Sequence, residues 1–287
     1  MENHNIYTRK NIKIKYNDII YIMSKILLII ITLIIILFLS IILKKNRSIK
    51  GTNLNLKKNG VIVIKNILND DDIKFLLNND IKNNYDYIIN NKNIRNKINN
   101  ILNNQYEFHK YLFYIKKSKF HTCHRDGNAK YYHNNIKYPS YTIIFYLSNI
   151  NKCLDVILNS HNNFNKIYIT DTTTSILCNK GDALIFDASI IHSGSFNKYD
   201  EYPRIQMKLT HKDDFGIINF YNNYYKTLDK NNKVNHNIKM IQKHISCQLP
   251  FMNDLFYNEI NNDIVNKEKT FFEKLYWTIF YGDNKYF

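Results

Sequence analysis

Two histidines, an aspartate and an arginine are the residues whose types and spacing could do chemistry together. His124 and Asp126 stand two apart in FHTCHRDGN (120–128), a stretch that otherwise reads as strand. Residues i and i+2 of extended backbone share a face, so an imidazole and a carboxylate would converge there. His192 follows the apolar run Ala183–Phe186 within GDALIFDASIIHSG. Two histidines and one carboxylate form the facial set that holds non-heme Fe(II) while leaving coordination positions open. Arg204 comes twelve residues later. Each histidine taken singly has a blander reading, a buried imidazole hydrogen-bonded to an acid; the set carries more weight than its members.

The elements that must position these residues are short strands. Gly60–Ile64 is β-branched and opens with Gly, and Asn69 before Ile73, Leu76 and Leu77, with Asp72 three residues on, has the pattern of a capped helix. Residues 79–104 are Asn-rich and read as weak helix and surface loops. Strands are then expected at 111–116, around His124, and at 141–147, 154–158, 167–170, 175–178, 183–186 and 204–210. In the last of these, Arg204, Gln206 and Lys208 share one face and Ile205, Met207 and Leu209 the other, so a helix must cover the apolar face. The Asn69-capped helix and a terminal helix striped with Phe271, Phe272, Leu275, Tyr276, Ile279 and Phe280 are the candidates. Many short strands with polar turns point to a barrel or sandwich.

In order and spacing, the Gly60 strand with its capped helix, HRD at 124–126, LDVILNSH at 154–161, GDALIFDASIIHSG at 181–194 and Arg204 in PRIQMKL resemble the phytanoyl-CoA dioxygenase-like branch of the Fe(II)/2-oxoglutarate-dependent oxygenases. The resemblance covers about residues 58–212. It implies a mainly β fold with flanking helices, a double-stranded β-helix or jelly-roll-like barrel, whose mouth holds Fe(II) on His124, Asp126 and His192. It also implies that Arg204 binds the distal carboxylate of the cosubstrate 2-oxoglutarate, a pairing that suits a planar guanidinium better than a lysine. Tyr141 and Thr142 are candidates for a hydroxyl contact to that cosubstrate. The expected reaction is hydroxylation of an organic substrate or protein side chain by dioxygen, with release of succinate and CO2. The chain departs from the family at Gln206, where a small residue is usual, and at Cys153 and Asn159, where Gly is usual. The alternatives are a non-catalytic barrel serving as an interaction module and a cupin-like metal protein, against which Arg204 argues.

The remainder of the chain bounds the setting. Residues 26–43, ILLIIITLIIILFLSIIL, are 18 apolar residues interrupted only by Thr32 and Ser40, enough to cross a bilayer as a helix. Lys44, Lys45 and Arg47 follow at once, without a small-residue cleavage site, so the run reads as an uncleaved single-pass anchor rather than a signal peptide. Basic residues on both flanks leave the side of the membrane open. The organisation expected is a basic segment (1–25), an anchor (26–43), a polar spacer (44–57), an oxygenase domain (58–215) and a helical extension packed on the barrel (216–287). The net charge is +16, of which residues 1–50 carry +7 and the other 237 residues +9 without a long basic run. So diffuse a charge points to solvated faces rather than to nucleic acid. Cys123, Cys153, Cys178 and Cys247 show no zinc spacing and are compatible with disulfides or with buried thiols.

Overall fold

The computed structural model describes residues 19–36, 39, 47–50, 54–117, 122–164, 168, 173–195, 201–218, 221–229, 235–250, 271, 274 and 275. The chain divides into two compact units between Lys44 and Lys45. In the first, helix α1 (Ile19–Ile36) has a mean hydropathy of 2.9 and is long and apolar enough to cross a membrane. Thr32, one of its mild polar interruptions, returns its hydroxyl to the Leu28 carbonyl (2.8 Å), so that donor is satisfied within the helix. Of the apolar run at 26–43, residues 37, 38 and 40–43 lie outside the described residues.

The second unit carries a short helix, α2 (Leu56–Asn59), and is built on two sheets. The larger has the order β11 (Tyr224–Leu228), β4 (Tyr111–Lys117), β10 (Glu201–His211), β5 (Tyr141–Tyr146), β8 (Ala183–Asp187), β2 (Val61–Ile64), with β3 (Tyr106–Phe108) also paired to β10. The smaller has the order β1 (Arg47–Lys50), β7 (Thr174–Leu177), β6 (Leu154–Val156), β9 (His192–Gly194). Pairing is antiparallel except for β1 with β7 and β11 with β4. The result is a mixed, β-rich fold with flanking helices.

Strand alternation decides which side chains meet. In β5, Ile143 and Phe145 enter one core while Ile144 and Tyr146 enter another; in β8, Ala183 and Ile185 divide from Leu184 and Phe186 in the same way. The first core also receives Ile205, Met207 and Leu209 of β10, and it is closed by α3 (Asp70–Asn78), α4 (Ile81–Asn90) and α5 (Lys92–Leu102) through Ile73, Leu76, Ile88, Ile94 and Ile98. Each such fully buried apolar side chain contributes roughly 1.5–3 kcal/mol. The second core lies between the sheets, joining Val61, Val63, Ile144, Leu184 and Phe186 to Leu154, Val156 and Ile176.

Helix α3 begins as its sequence predicts. The Asn69 side chain accepts from Asp72 N and the Asp72 side chain from Asn69 N, both at 2.8 Å, a reciprocal cap. Residues 79–104 are more ordered than their composition suggests. Asp80 and Asn91 cap α4 and α5, and Ile94, Ile98 and Leu102 fall on one buried face of α5. Beyond Phe215, where a helical extension is expected, the chain first adds the strand β11, which the sequence pattern did not indicate, and then α6 (His236–Gln248). The strand expected at 167–170 and the helix expected at 271–280 fall mostly outside the described residues.

Asn159, where the resembled family favours Gly, has φ 68°. Asn tolerates this left-handed backbone better than other non-glycine residues, so the rim turn is made without the glycine.

Candidate metal centre

His124 does not lie in a continuous strand. It forms an isolated antiparallel bridge with His192, closed by two hydrogen bonds of 2.9 Å, His124 N to His192 O and His192 N to His124 O. The bridge sets the two imidazoles beside each other, with ring centroids 4.5 Å apart. Asp126 is placed by its own N–H, which donates to Ala188 O (2.9 Å), and by a turn in which Ala129 N donates to Asp126 O. The Asp126 carboxylate thereby offers Oδ1 to both rings, 3.8 Å from His124 Nε2 and 3.6 Å from His192 Nε2. Potential ligand atoms of the three residues all lie within 4.8 Å of one another.

The donor chemistry fits a divalent metal. His124 Nδ1 is 3.0 Å from Thr122 O and His192 Nδ1 is 3.0 Å from Ile190 O. A carbonyl only accepts, so each Nδ1 carries the proton and each Nε2 presents its lone pair toward Asp126 Oδ1. Burial pushes the His192 imidazole down to about 3, so the ring is neutral and ready to ligate. Burial alone would raise Asp126, yet the Lys208 ammonium, the largest of the opposing influences, helps to hold the carboxyl well below its usual range. Two imidazole nitrogens and one carboxylate oxygen on one side of a metal suit Fe(II) with positions left over.

The second carboxylate oxygen is occupied within the protein. Lys208 Nζ lies 2.7 Å from Asp126 Oδ2, the Thr142 hydroxyl donates to the same oxygen, and Lys208 Nζ donates to Thr142 Oγ1 at 3.1 Å. Lys208 is the residue that sequence reading passed over. It sits on the Arg204 face of β10, but among 40 Lys and Arg nothing in its neighbours marked it.

Arg204 is buried, 7 % exposed, on the same face of β10 and across from Tyr146 of β5. Four residues of strand separate it from Lys208, about 13 Å at roughly 3.3 Å per residue. Its guanidinium lies 4.6 Å from the Tyr202 ring centroid and donates to Tyr202 O at 3.4 Å. Of the two candidate hydroxyls, Thr142 joins the cluster and Tyr141 does not. Adjacent residues of a strand face opposite ways, and the Tyr141 ring packs on Tyr106 (5.0 Å). There it lines a cavity of about 570 Å³ together with His161, Asp187 and Ser189. Asp187 accepts from Ser189 N (2.8 Å) in the turn before His192, and His133 Nε2 reaches Gly127 O (2.9 Å) behind Asp126. His121 lies outside the described residues.

A helix buttresses the centre. Cys123, next to His124, is disulfide-bonded to Cys247 of α6, and Cys123 N donates to Ser246 Oγ at 2.8 Å. Lys243 of α6 makes a buried ion pair with Asp155 of β6. Cys153 and Cys178 are buried free thiols.

No family model and no curated protein matches this chain. Among solved structures it is similar to the non-heme alpha-ketoglutarate-dependent epimerase SnoN from nogalamycin biosynthesis, at 12 % identity over 55 % of this chain and 78 % of that one, with a TM-score of 0.44. It is also similar to AviO1 from Streptomyces viridochromogenes (12 % identity, 55 % and 92 % covered, TM-score 0.43). A third is HygX from Streptomyces hygroscopicus, solved with nickel and 2-oxoglutarate bound (10 % identity, 55 % and 85 % covered, TM-score 0.42). At those scores the neighbours assign no activity to this chain; its own side chains must do so.

Proposed function

We propose that this protein is a membrane-anchored Fe(II)/2-oxoglutarate-dependent dioxygenase that hydroxylates a small molecule, a lipid or a protein side chain, with the two sheets serving as a double-stranded β-helix. The observation that carries the reading is the convergence of two imidazole Nε2 lone pairs on Asp126 Oδ1. In this reading His124, Asp126 and His192 hold the metal and Arg204 pairs with the distal carboxylate of 2-oxoglutarate. When bound, iron and cosubstrate supply the oxidising chemistry, with succinate and CO2 as by-products.

The chain's own residues hold and orient. The Thr122 and Ile190 carbonyls fix both imidazole tautomers. Thr142 and Lys208 fix the carboxylate plane. Apolar side chains such as Phe186, whose ring lies 4.4 Å from His192, keep water from the inner side. Helix α1 provides the anchor. The Cys123–Cys247 disulfide favours placement of the second unit on an oxidising side of the membrane.

The test is metal retention and succinate formation by the full chain in detergent. One Fe(II) per chain and slow, substrate-free conversion of 2-oxoglutarate to succinate are expected, both abolished in His124→Ala and Asp126→Ala. Arg204→Ala should keep its iron and need far more 2-oxoglutarate. A full chain that retains no iron and forms no succinate would leave a barrel acting only as an interaction module.

A further inference from the structure

Lys208 has no part in ligation, yet it is fully enclosed and in direct contact with the triad carboxylate. Its side chain is fully buried. Besides Asp126 Oδ2 and Thr142 Oγ1, it faces the rings of Tyr221 and Tyr111, whose centroids lie 5.4 and 5.8 Å from Nζ. An ammonium is scarcely ever buried without a paired charge. Here the paired charge belongs to the carboxylate whose other oxygen faces the two histidines, so the two oxygens of Asp126 have separate partners.

We propose that Lys208 is a built-in counter-cation of the triad: it restricts Asp126 to a single free oxygen, and it opposes the charge of a metal so that metal and a dianionic cosubstrate bind as a coupled pair. This rests on the reading of the triad as a metal site given above. Asp126 and Lys208 cancel; a divalent metal adds two positive charges to a centre that already has the buried guanidiniums of Arg125 and Arg204 nearby, and a dicarboxylate cosubstrate removes those two charges again. Excess charge in an enclosed site is screened little. A metal alone therefore enters against Lys208, whereas a metal with its dianion does not. If Lys208 were merely a structural strut for Asp126, its loss would loosen the carboxylate and weaken metal binding. As a counter-cation, its loss strengthens it. The two roles differ in sign.

Calorimetric titration of the full chain in detergent with Mn2+, with and without 2-oxoglutarate, separates them. Lys208→Met, which roughly keeps the volume, should bind Mn2+ alone at least tenfold more tightly than the wild type (about 1.4 kcal/mol). It should also lose most of the enhancement that 2-oxoglutarate gives the wild type, while Lys208→Arg keeps wild-type behaviour. Equal or weaker Mn2+ binding by Lys208→Met, or Lys208→Arg behaving like Lys208→Met, overturns the proposal and leaves the metal site standing. Absence of Mn2+ binding by the wild type under every condition removes both. Should Lys208→Met not fold, the wild type decides with succinate, a dianion without the chelating 2-oxo group. Raised Mn2+ affinity supports a charge effect, and unchanged affinity refutes it.

Discussion

Replacing Asp126 by Asn tests whether the Asp126–Lys208 pair is the buried charge balance it resembles. The substitution keeps the shape and an acceptor oxygen but removes the negative charge, leaving an ammonium that is 0 % exposed beside a neutral amide. Removing one partner of a buried pair costs about 3–5 kcal/mol. That is a large share of a domain's stability. Adding Lys208→Met removes the stranded charge and should restore most of the loss, giving a coupling of about 3 kcal/mol in the double-mutant cycle. Urea unfolding followed by circular dichroism at pH 7 measures all four corners. A cost below about 1 kcal/mol for Asp126→Asn, or a double variant no more stable than the single one, would show that the charges do not balance each other.

Two further outcomes follow from groups around the centre. Cys247→Ser opens the Cys123–Cys247 link, which spans 124 residues; chain entropy sets the loss at no more than about 5 kcal/mol, read as a lower Tm under non-reducing conditions, and a wild-type Tm indifferent to reductant would refute a stabilising link. His109 is buried against Thr210 and Phe215, and burial pushes its pKa down to about 4. The unfolded ring takes its proton near pH 6.5, so the stability from keeping it neutral is complete above that pH and is lost as pH falls toward 4, about 2 kcal/mol by pH 5. A His109→Gln chain with the same pH slope as the wild type would contradict this.

What the sequence made legible, and what it hid, follows from the range of each interaction. The i, i+2 spacing of His124 and Asp126 and the alternation in RIQMKL are local rules, and the structure honours both, although a single bridge and a turn replace the expected strand at His124. The helices at 81–102 were obscured by their asparagines, yet Asn91 is the N-cap of α5, and Asn66, Asn103, Asn104, Asn159 and Asn223 all take left-handed backbone. In a chain with only 7 Gly, asparagine fills caps and tight turns, so the residue that reads as surface loop is marking element ends. The Cys123–Cys247 and Lys243–Asp155 links join residues 124 and 88 apart, and no local pattern announces such pairs. Tyr141 and Thr142 show how much rests on strand alternation. Both carry a hydroxyl next to the candidate site, but the pleat allows only one of two neighbours to face it. The pairing that lays Thr142 beside Lys208 sets the Thr142 hydroxyl on the Asp126 carboxylate and turns Tyr141 toward Tyr106 and the outer cavity. A one-residue slip between β5 and β10 would exchange the two and strip Asp126 of a partner for its second oxygen. Register, set by the apolar residues Ile143 and Phe145 that face the helices, is therefore what ties the hydrophobic core to the chemistry of the centre.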